Sequence, residues 1–140
     1  MDQKKETQLD QQTINEILNL LKLGKLNNAK AKIENCIKKF PKSFILFNIL
    51  GAIYVGQNEL KVAINHHKKS IEINPYYAEG YNNLGIAFQK LGLLEEAVKN
   101  FKKTLKLKPN FSLAYNNLGV ALKSLNKLDE ALVTSKKQLN

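Results

Sequence analysis

A period of 34 residues constrains this chain more than any other feature of its sequence. The segment Tyr-Asn-Asn-Leu-Gly occupies positions 81–85 and recurs at 115–119, and a related segment, Phe-Asn-Ile-Leu-Gly, occupies 47–51. One alanine column and one proline column keep the same interval: Ala29, Ala63, Ala97 and Ala131, with Pro41, Pro75 and Pro109. Several columns in one register identify an internal repeat, and units of this length bury their apolar faces by stacking on their neighbours.

Each period predicts two helices. Apolar residues of the third unit follow helical spacing before and after a break: Tyr81, Leu84, Ala87, Phe88 and Leu91, then Leu94, Ala97, Val98, Phe101 and Leu105. The breaks fall at Gly24, Asn58, Gly92 and Asn126, residue types that enter the left-handed conformation at low cost and end helices. The prolines end the second helix of a unit. The predicted helices are 10–23, 26–39, 43–56, 60–72, 77–90, 94–107, 111–124 and 128–139.

These patterns predict an all-α fold, a right-handed solenoid of four tandem helix-turn-helix repeats. A flexible polar segment, 1–9, precedes one repeat domain, 10–140, whose repeats span about 10–43, 44–77, 78–111 and 112–140. Gly51, Gly85 and Gly119 lie inside first helices, where glycine costs about 1 kcal/mol relative to alanine. Their retention indicates close packing between the two helices of a repeat.

The repeated residues resemble the tetratricopeptide repeat family, whose pattern is aromatic-x2-Leu-Gly-x2-aromatic, then Ala-x3-aromatic, then Pro. The third repeat matches it with Tyr81, Leu84, Gly85, Phe88, Ala97, Phe101 and Pro109. The second repeat has His67 at one aromatic position, and the first keeps only Ala29 and Pro41. The resemblance implies a protein–protein interaction module, an adaptor that binds a protein or peptide and is not an enzyme.

The sequence gives no sign of catalytic residues, a metal site or a cofactor. His66 and His67 are adjacent, so on a helix they point about 100° apart and do not converge on one ion. His67 stands at an aromatic core position, which favours a packing role over a ligand role. Cys36 shares its column with Ser70 and Thr104 and is expected to be a structural thiol, since no neighbour would activate it.

The net charge of +10 suits an acidic partner. All 22 basic residues are lysines, and the absence of arginine argues against nucleic acid, which proteins commonly read with the planar arginine fork. No segment is long and apolar enough for membrane insertion, and the N-terminus has no apolar signal region. The single cysteine is typical of a reducing compartment, so a cytoplasmic location is expected.

The resemblance also implies that first helices line a concave groove that receives a peptide. The predicted groove residues are Asn15, Asn48, Asn82, Asn83, Ile86, Lys90, Asn116, Asn117, Val120 and Lys123. The column of Asn15, Asn83 and Asn117, interrupted by Ile49, is similar to the asparagine ladder in the repeats of O-linked N-acetylglucosamine transferase. An asparagine amide can satisfy both the N–H and the C=O of a ligand backbone. Lys90 and Lys123 would favour acidic ligands.

A second binding mode of the family is not expected. Its chaperone-binding members hold a C-terminal carboxylate with lysine, arginine and asparagine, whereas the matching positions here are Ile14, Leu18, Glu79 and Leu113. Two other functions stay open. Self-association is expected, if it occurs, as a homodimer through the C-terminal repeat, where Leu128, Leu132, Val133 and Leu139 leave apolar surface. Alternatively, the chain is the non-catalytic repeat portion of a larger bacterial enzyme.

Overall fold

The computed structural model describes residues 9–139, and within them it contains seven α-helices and no strand. In chain order the helices are α1 (Gln11–Lys22), α2 (Leu26–Lys39), α3 (Phe44–Gly56), α4 (Leu60–Ile73), α5 (Ala78–Leu91), α6 (Leu94–Leu107) and α7 (Ser112–Leu139). The predicted all-α class is confirmed. The predicted polar lead-in lies almost wholly outside the described residues.

The chain divides between Pro75 and Tyr76 into two compact units. The N-terminal unit contains α1 to α4, and the C-terminal unit contains α5 to α7. In each unit the packing follows the repeat, because the two helices of one repeat pair and the second helix also contacts the first helix of the following repeat.

Polar side chains cap two helices of the N-terminal unit. The Asp10 carboxylate accepts a hydrogen bond from the backbone N–H of Thr13 at 2.7 Å. Hydrogen bonding with the Thr13 side chain, and then this backbone bond, lower the pKa of Asp10. The Ser43 hydroxyl accepts from the backbone N–H of Leu46 at 3.4 Å. Both bonds satisfy an N–H that has no partner inside its own helix, so these residues mark where α1 and α3 begin.

Left-handed residues separate the helices of the first three repeats, as the sequence predicts. Gly24, Asn58 and Gly92 have φ angles of 74°, 60° and 88°. Asn58 is the one non-glycine residue with positive φ among the described residues, and asparagine tolerates this conformation better than most residues. The prolines follow the ends of α2, α4 and α6, which confirms their predicted role.

Each unit has its own apolar core. In the N-terminal unit one cluster of buried residues comprises Ile17, Ala29, Ile33, Leu46, Leu50 and Ile53, the half-buried Cys36 packs against it, and α4 adds the buried Ala63 and Ile64. In the C-terminal unit α5 and α6 supply Leu84, Ala87, Phe88, Ala97, Val98 and Phe101, and α7 adds Ala114 and Ala121. The alanine column is therefore a core column in the first three repeats, where its members are fully buried.

A ring on the second helix of repeats 2 and 3 lies directly on a glycine of the first. A Cβ atom added at Gly85 would come within 2.6 Å of the Phe101 ring, and one added at Gly51 would come within 2.7 Å of the His67 ring. Both rings are fully buried. The packing reason predicted for these two glycines is confirmed. Gly119 differs, because a Cβ atom there would meet nothing within 4 Å.

The fourth repeat corrects the predicted helix count. Instead of two helices at 111–124 and 128–139, one 28-residue helix, α7, runs through Asn126. The sequence explains why this repeat does not fold back as the others do. A hairpin would need a left-handed residue at the turn, and it would gain less packing, because the position of Phe101 is taken by the small residue Ser135.

Two alanine substitutions on α3 test the contact between ring and glycine. Gly51→Ala should lower the free energy of unfolding by about 1–2 kcal/mol, because the gain in helix propensity is outweighed by overpacking against the buried His67 ring. Gly56→Ala should raise it by up to about 1 kcal/mol, since no atom lies within 4 Å of the added Cβ. Urea unfolding followed by circular dichroism measures both; equal effects of the two substitutions would contradict the contact.

Candidate functional site

Within residues 9–139 no three side chains of His, Cys, Asp or Glu are grouped so that they could hold a metal ion. Cys36 is a free, half-buried thiol in the core of the N-terminal unit. The two histidines, His66 and His67, are the other residues of this unit that were considered in the sequence as candidates for a reactive site.

His67 is a buried core residue whose ring is held by a hydrogen bond. Its Nδ1 lies 2.9 Å from the Oδ1 of Asn48, which is also buried. Because an amide oxygen only accepts, Nδ1 carries the proton in this bond. Burial lowers the pKa of His67 to about 4, with a smaller contribution from His66. The ring is thus neutral near pH 7 and serves as the filler that the sequence predicts at an aromatic position.

His66 lies in a stack of rings at the surface of the same unit. Its ring is 5.3 Å from that of Tyr54, with the two planes 6° apart, and 6.3 Å from that of Phe47. Lys30 covers Tyr54 with its ammonium group, 4.7 Å from the centre of the ring. Partial burial lowers the pKa of His66 as well. The stack accounts for His66 as a packing residue and brings no second metal ligand to it.

The predicted groove residues of the N-terminal unit do not form a common site. Asn15 is exposed on α1, and its Oδ1 accepts from the side chain of Gln11 at 3.0 Å. Asn48 lies between α3 and α4 against His67. The burial of Asn48 removes it from the set of residues that a ligand can reach.

The C-terminal unit brings two predicted residues together. The Asn117 side chain on α7 donates from Nδ2 to the Oδ1 of Asn82 on α5 at 3.2 Å. Asn82 is buried, with 4% of its surface exposed, so a ligand cannot reach it. Its role here is to accept the hydrogen bond that holds the Asn117 side chain. Asn117 is half-buried. One of its two N–H groups is committed to Asn82, which fixes the plane of its amide.

The other predicted residues of this unit are at least partly accessible. Asn83 and Ile86 are half-buried, whereas Lys90, Asn116, Val120 and Lys123 are exposed. We call the following set the α5–α7 face: Asn83, Ile86, Lys90, Asn116, Asn117, Val120 and Lys123. On α5 its members recur at intervals of three and four residues, and on α7 Asn116 and Asn117 are adjacent and are followed at intervals of three by Val120 and Lys123, which places the members on one side of each helix.

Two features near this face were not predicted. Glu79 on α5 forms an ion pair with Lys108, at 3.5 Å between Nζ and Oε1. On α7, Tyr115 and Leu122 are 56% and 43% exposed, although their counterparts in α5 are covered by α6. The sequence could have predicted this exposure, because Ser135 stands where an aromatic residue would cover Gly119.

No helix in the described part of the chain has the length and apolar character needed to cross a membrane.

Four tetratricopeptide repeat family models match the chain, over residues 18–43, 51–92, 78–111 and 100–133. Three solved structures are similar to it. The first TPR domain of human RPAP3 has a TM-score of 0.80 at 24% identity over 84% of this chain and 93% of that domain. The first TPR of Spaghetti (RPAP3), bound to the HSP90 peptide SRMEEVD, has a TM-score of 0.78 at 24% identity over 84% and 97%. MamA has a TM-score of 0.75 at 27% identity over 91% and 74%. No curated protein sequence matches the chain.

His67 predicts a pH dependence of stability. Since its folded-state pKa of about 4 lies below the ordinary 6.5, only the unfolded chain takes up a proton between these values. The free energy of unfolding should therefore fall as the pH drops from 7, by about 2 kcal/mol at pH 5. His67→Phe should unfold with nearly wild-type free energy at pH 7 and remove most of this fall. Urea titrations at both pH values measure it, with His66→Gln as the control that keeps most of the slope, since the pKa of His66 is lowered as well; an unchanged slope in His67→Phe would contradict the assignment.

Proposed function

This chain belongs to the tetratricopeptide repeat family, and from that premise we propose that it is a protein-interaction module that binds an extended, acidic peptide segment on the α5–α7 face. The observation that carries this proposal is the hydrogen bond between Asn117 and Asn82. It joins the first helices of two successive repeats and fixes a ligand-facing amide in place before any ligand arrives.

Asparagines at equivalent positions suit the recognition of a peptide backbone. Asn83 and Asn117 are 34 residues apart and occupy the same place in repeats 3 and 4. Packed helices lie about 8–10 Å apart, and an extended peptide advances about 3.3 Å per residue. The two amides would therefore meet ligand residues about three apart, and the exposed Asn116 can assist. Backbone contacts of this kind tolerate many ligand sequences.

The charges on this face favour an acidic ligand. Lys90 and Lys123 are exposed and follow the asparagines by about two turns on their helices. Glu79, the acidic residue nearest in the α5 sequence, is neutralised by Lys108. Among the similar structures, the Spaghetti (RPAP3) domain is bound to SRMEEVD, a peptide with three acidic residues. These attractions are made in water, so salt will weaken them.

The proposed ligand is read along its backbone and not by its C-terminal carboxylate. At the positions that match the carboxylate clamp, Leu18 and Leu113 are 48% and 62% exposed and offer no charge, and Glu79 is acidic. None of these side chains is a cation, and the nearby Lys108 is paired with Glu79. As in the predicted asparagine ladder, asparagine amides contact the ligand backbone, but here they come from the C-terminal unit alone. The cytoplasmic location and a place within a larger enzyme stay predictions.

Removal of the two equivalent amides should weaken peptide binding. The variant Asn83→Ala/Asn117→Ala should bind an acidic peptide about tenfold more weakly, because each lost contact costs about 0.5–1.5 kcal/mol. Fluorescence anisotropy with labelled SRMEEVD measures the dissociation constant, and circular dichroism checks that the helix content is kept.

The matched control is Asn27→Ala/Asn28→Ala, which removes two adjacent exposed asparagines from α2. It should bind as the wild type does. Equal binding by the wild type and the Asn83/Asn117 variant would rule out the backbone contacts.

Chemical changes to the peptide separate the two modes of recognition. An amide in place of the C-terminal carboxylate of SRMEEVD should change the affinity by less than about twofold, because each repeat contacts the backbone. Replacement of its acidic residues in SRMQQVN should weaken binding, and high salt should do the same for SRMEEVD alone. Loss of binding on amidation would instead indicate a carboxylate clamp, and equal binding of SRMEEVD and SRMQQVN would contradict the acidic preference.

A further inference from the structure

Four lysines lie together on the outer side of α6. They follow one another at intervals of three, one and three residues: Lys99, Lys102, Lys103 and Lys106. With about 100° between successive residues, these intervals place the four within roughly 100° of one another around the helix axis, along about 10 Å of its length. Ala97 and Phe101, which are fully buried, lie on the opposite side of α6. The lysines therefore form one stripe that faces away from the core.

This stripe borders an open depression in the surface of the C-terminal unit. The depression has a volume of about 410 Å³, and its lining residues are Tyr81, Lys99, Asn100, Lys102, Lys103 and Lys106. Pockets that bind small molecules commonly have volumes of about 300–1,000 Å³. No acidic side chain of the described residues lines it. We call it the lysine depression.

The positive charges of the lysine depression have no carboxylate partner within residues 9–139, where the ion pairs involve other lysines. Like charges three and four residues apart on a helix repel each other. The nearest acidic residues in the α6 sequence, Glu95 and Glu96, stand about one turn before Lys99, and neither forms an ion pair with it. The fold thus concentrates positive charge at one place and leaves it available to an anion.

Two side chains of the depression are held in place without a ligand. The ammonium group of the half-buried Lys103 lies 5.7 Å from the centre of the Tyr81 ring, within the range of a cation–π contact. Asn100 is 8% exposed, and its Nδ2 donates a hydrogen bond to the backbone oxygen of Glu96 at 2.8 Å. Side chains that are already ordered lose less freedom when a ligand binds.

We propose that the lysine depression binds a group that carries two or more linked phosphates. Lysine is a compact point charge and a common partner of phosphate. Linked phosphates bring several negative charges within a few ångströms, which matches four lysines along about 10 Å of helix. The carboxylates of an extended peptide are instead spread at about 3.3 Å per residue. Paired recognition of a carboxylate favours arginine, which this chain lacks.

The lysine depression is separate from the proposed peptide site. Tyr81 lines the depression, whereas Asn83 and Lys90 of the same helix belong to the α5–α7 face. Around the axis of α5, Asn83 and Lys90 lie about 160° and 180° from Tyr81. A phosphate ligand can therefore bind while the peptide site is open, so the two proposals stand or fall independently.

Calorimetric titration of the whole chain at low salt tests the class of ligand. Inorganic tripolyphosphate should bind, pyrophosphate should bind more weakly and orthophosphate more weakly again, because each phosphate removed takes charge and acceptor oxygens from the ligand. Citrate, whose charge is similar to that of pyrophosphate but is carried by carboxylates, should bind more weakly than pyrophosphate. An absence of tripolyphosphate binding, or equal binding of citrate and pyrophosphate, would overturn the proposal.

Variants that remove charge locate the site. Lys99→Gln/Lys103→Gln should bind tripolyphosphate about tenfold more weakly than the wild type, since half of the charge-assisted contacts are lost. The matched control, Lys38→Gln/Lys39→Gln, removes the same charge from two exposed lysines of α2 and should bind as the wild type does. Circular dichroism checks that both variants keep their helix content. Equal weakening by the two variants would mean that net charge alone attracts the ligand, and the lysine depression would then not be the site.

Vesicles distinguish a lipid headgroup from a free phosphate compound. Phosphatidylcholine vesicles that contain phosphatidylinositol bisphosphate present linked charge of this kind at a surface, and basic pockets can bind such headgroups. Sedimentation of the wild type with these vesicles, but not of Lys99→Gln/Lys103→Gln, would identify a lipid headgroup as the ligand of the depression. If neither protein sediments while tripolyphosphate binds the wild type, the ligand is a free phosphate compound. If both proteins sediment equally, the phosphates are bound elsewhere and the proposal is overturned.

Discussion

The contact between a ring on one helix and a glycine on the helix before it determines how repeats 2 and 3 are built. Phe101 lies on Gly85 and His67 lies on Gly51, at distances that would leave no room for a methyl group. This contact sets how closely the two helices approach, and the fully buried alanine column of the second helix allows the same approach. The left-handed turns at Asn58 and Gly92 bring the helices back to make it. Repeat 1 closes with the buried Ile33 and Ile17 at these two positions, whereas repeat 4 has only the small Ser135 at the ring position and continues as one helix.

The 34-residue period predicted most of the fold because the residues that repeat are those required by packing and by the turns. Glycine, alanine, proline and the turn residues each mark a local constraint that any repeat must meet, so the first six helices lie close to their predicted places. The period predicted a helix pair in repeat 4 wrongly, because the same residue type at the turn does not ensure that the second helix buries as much apolar surface when it folds back. Asn58 and Asn126 stand at the same position, yet only Asn58 precedes a helix with a ring to bury.

The candidate site was predictable as a stripe of positions but not as a set of accessible atoms. Asn48 and Asn82 share a column with Asn116, and periodicity treats the three alike. The structure buries the first two and exposes the third, because α7 has no second helix and no further repeat packed over it in the described chain. The partners also differ, His67 for Asn48 and Asn117 for Asn82. Such pairings depend on side chains of other helices, in the same repeat for Asn48 and in the next repeat for Asn82, about which a column along one helix carries no information.

The seating of His67 and Phe101 has a consequence for how this sequence can change over time. Enlarging the glycine alone, or removing the ring alone, is costly, so the effects of two such changes at one pair will not add. A larger residue at the glycine position fits only after the ring opposite it has been replaced by a smaller side chain, so the two positions of a pair are expected to change together. Gly119 has no such ring against it, since a Cβ atom there would meet nothing within 4 Å. It is therefore the glycine of the three whose identity depends least on a close contact between helices of its own chain.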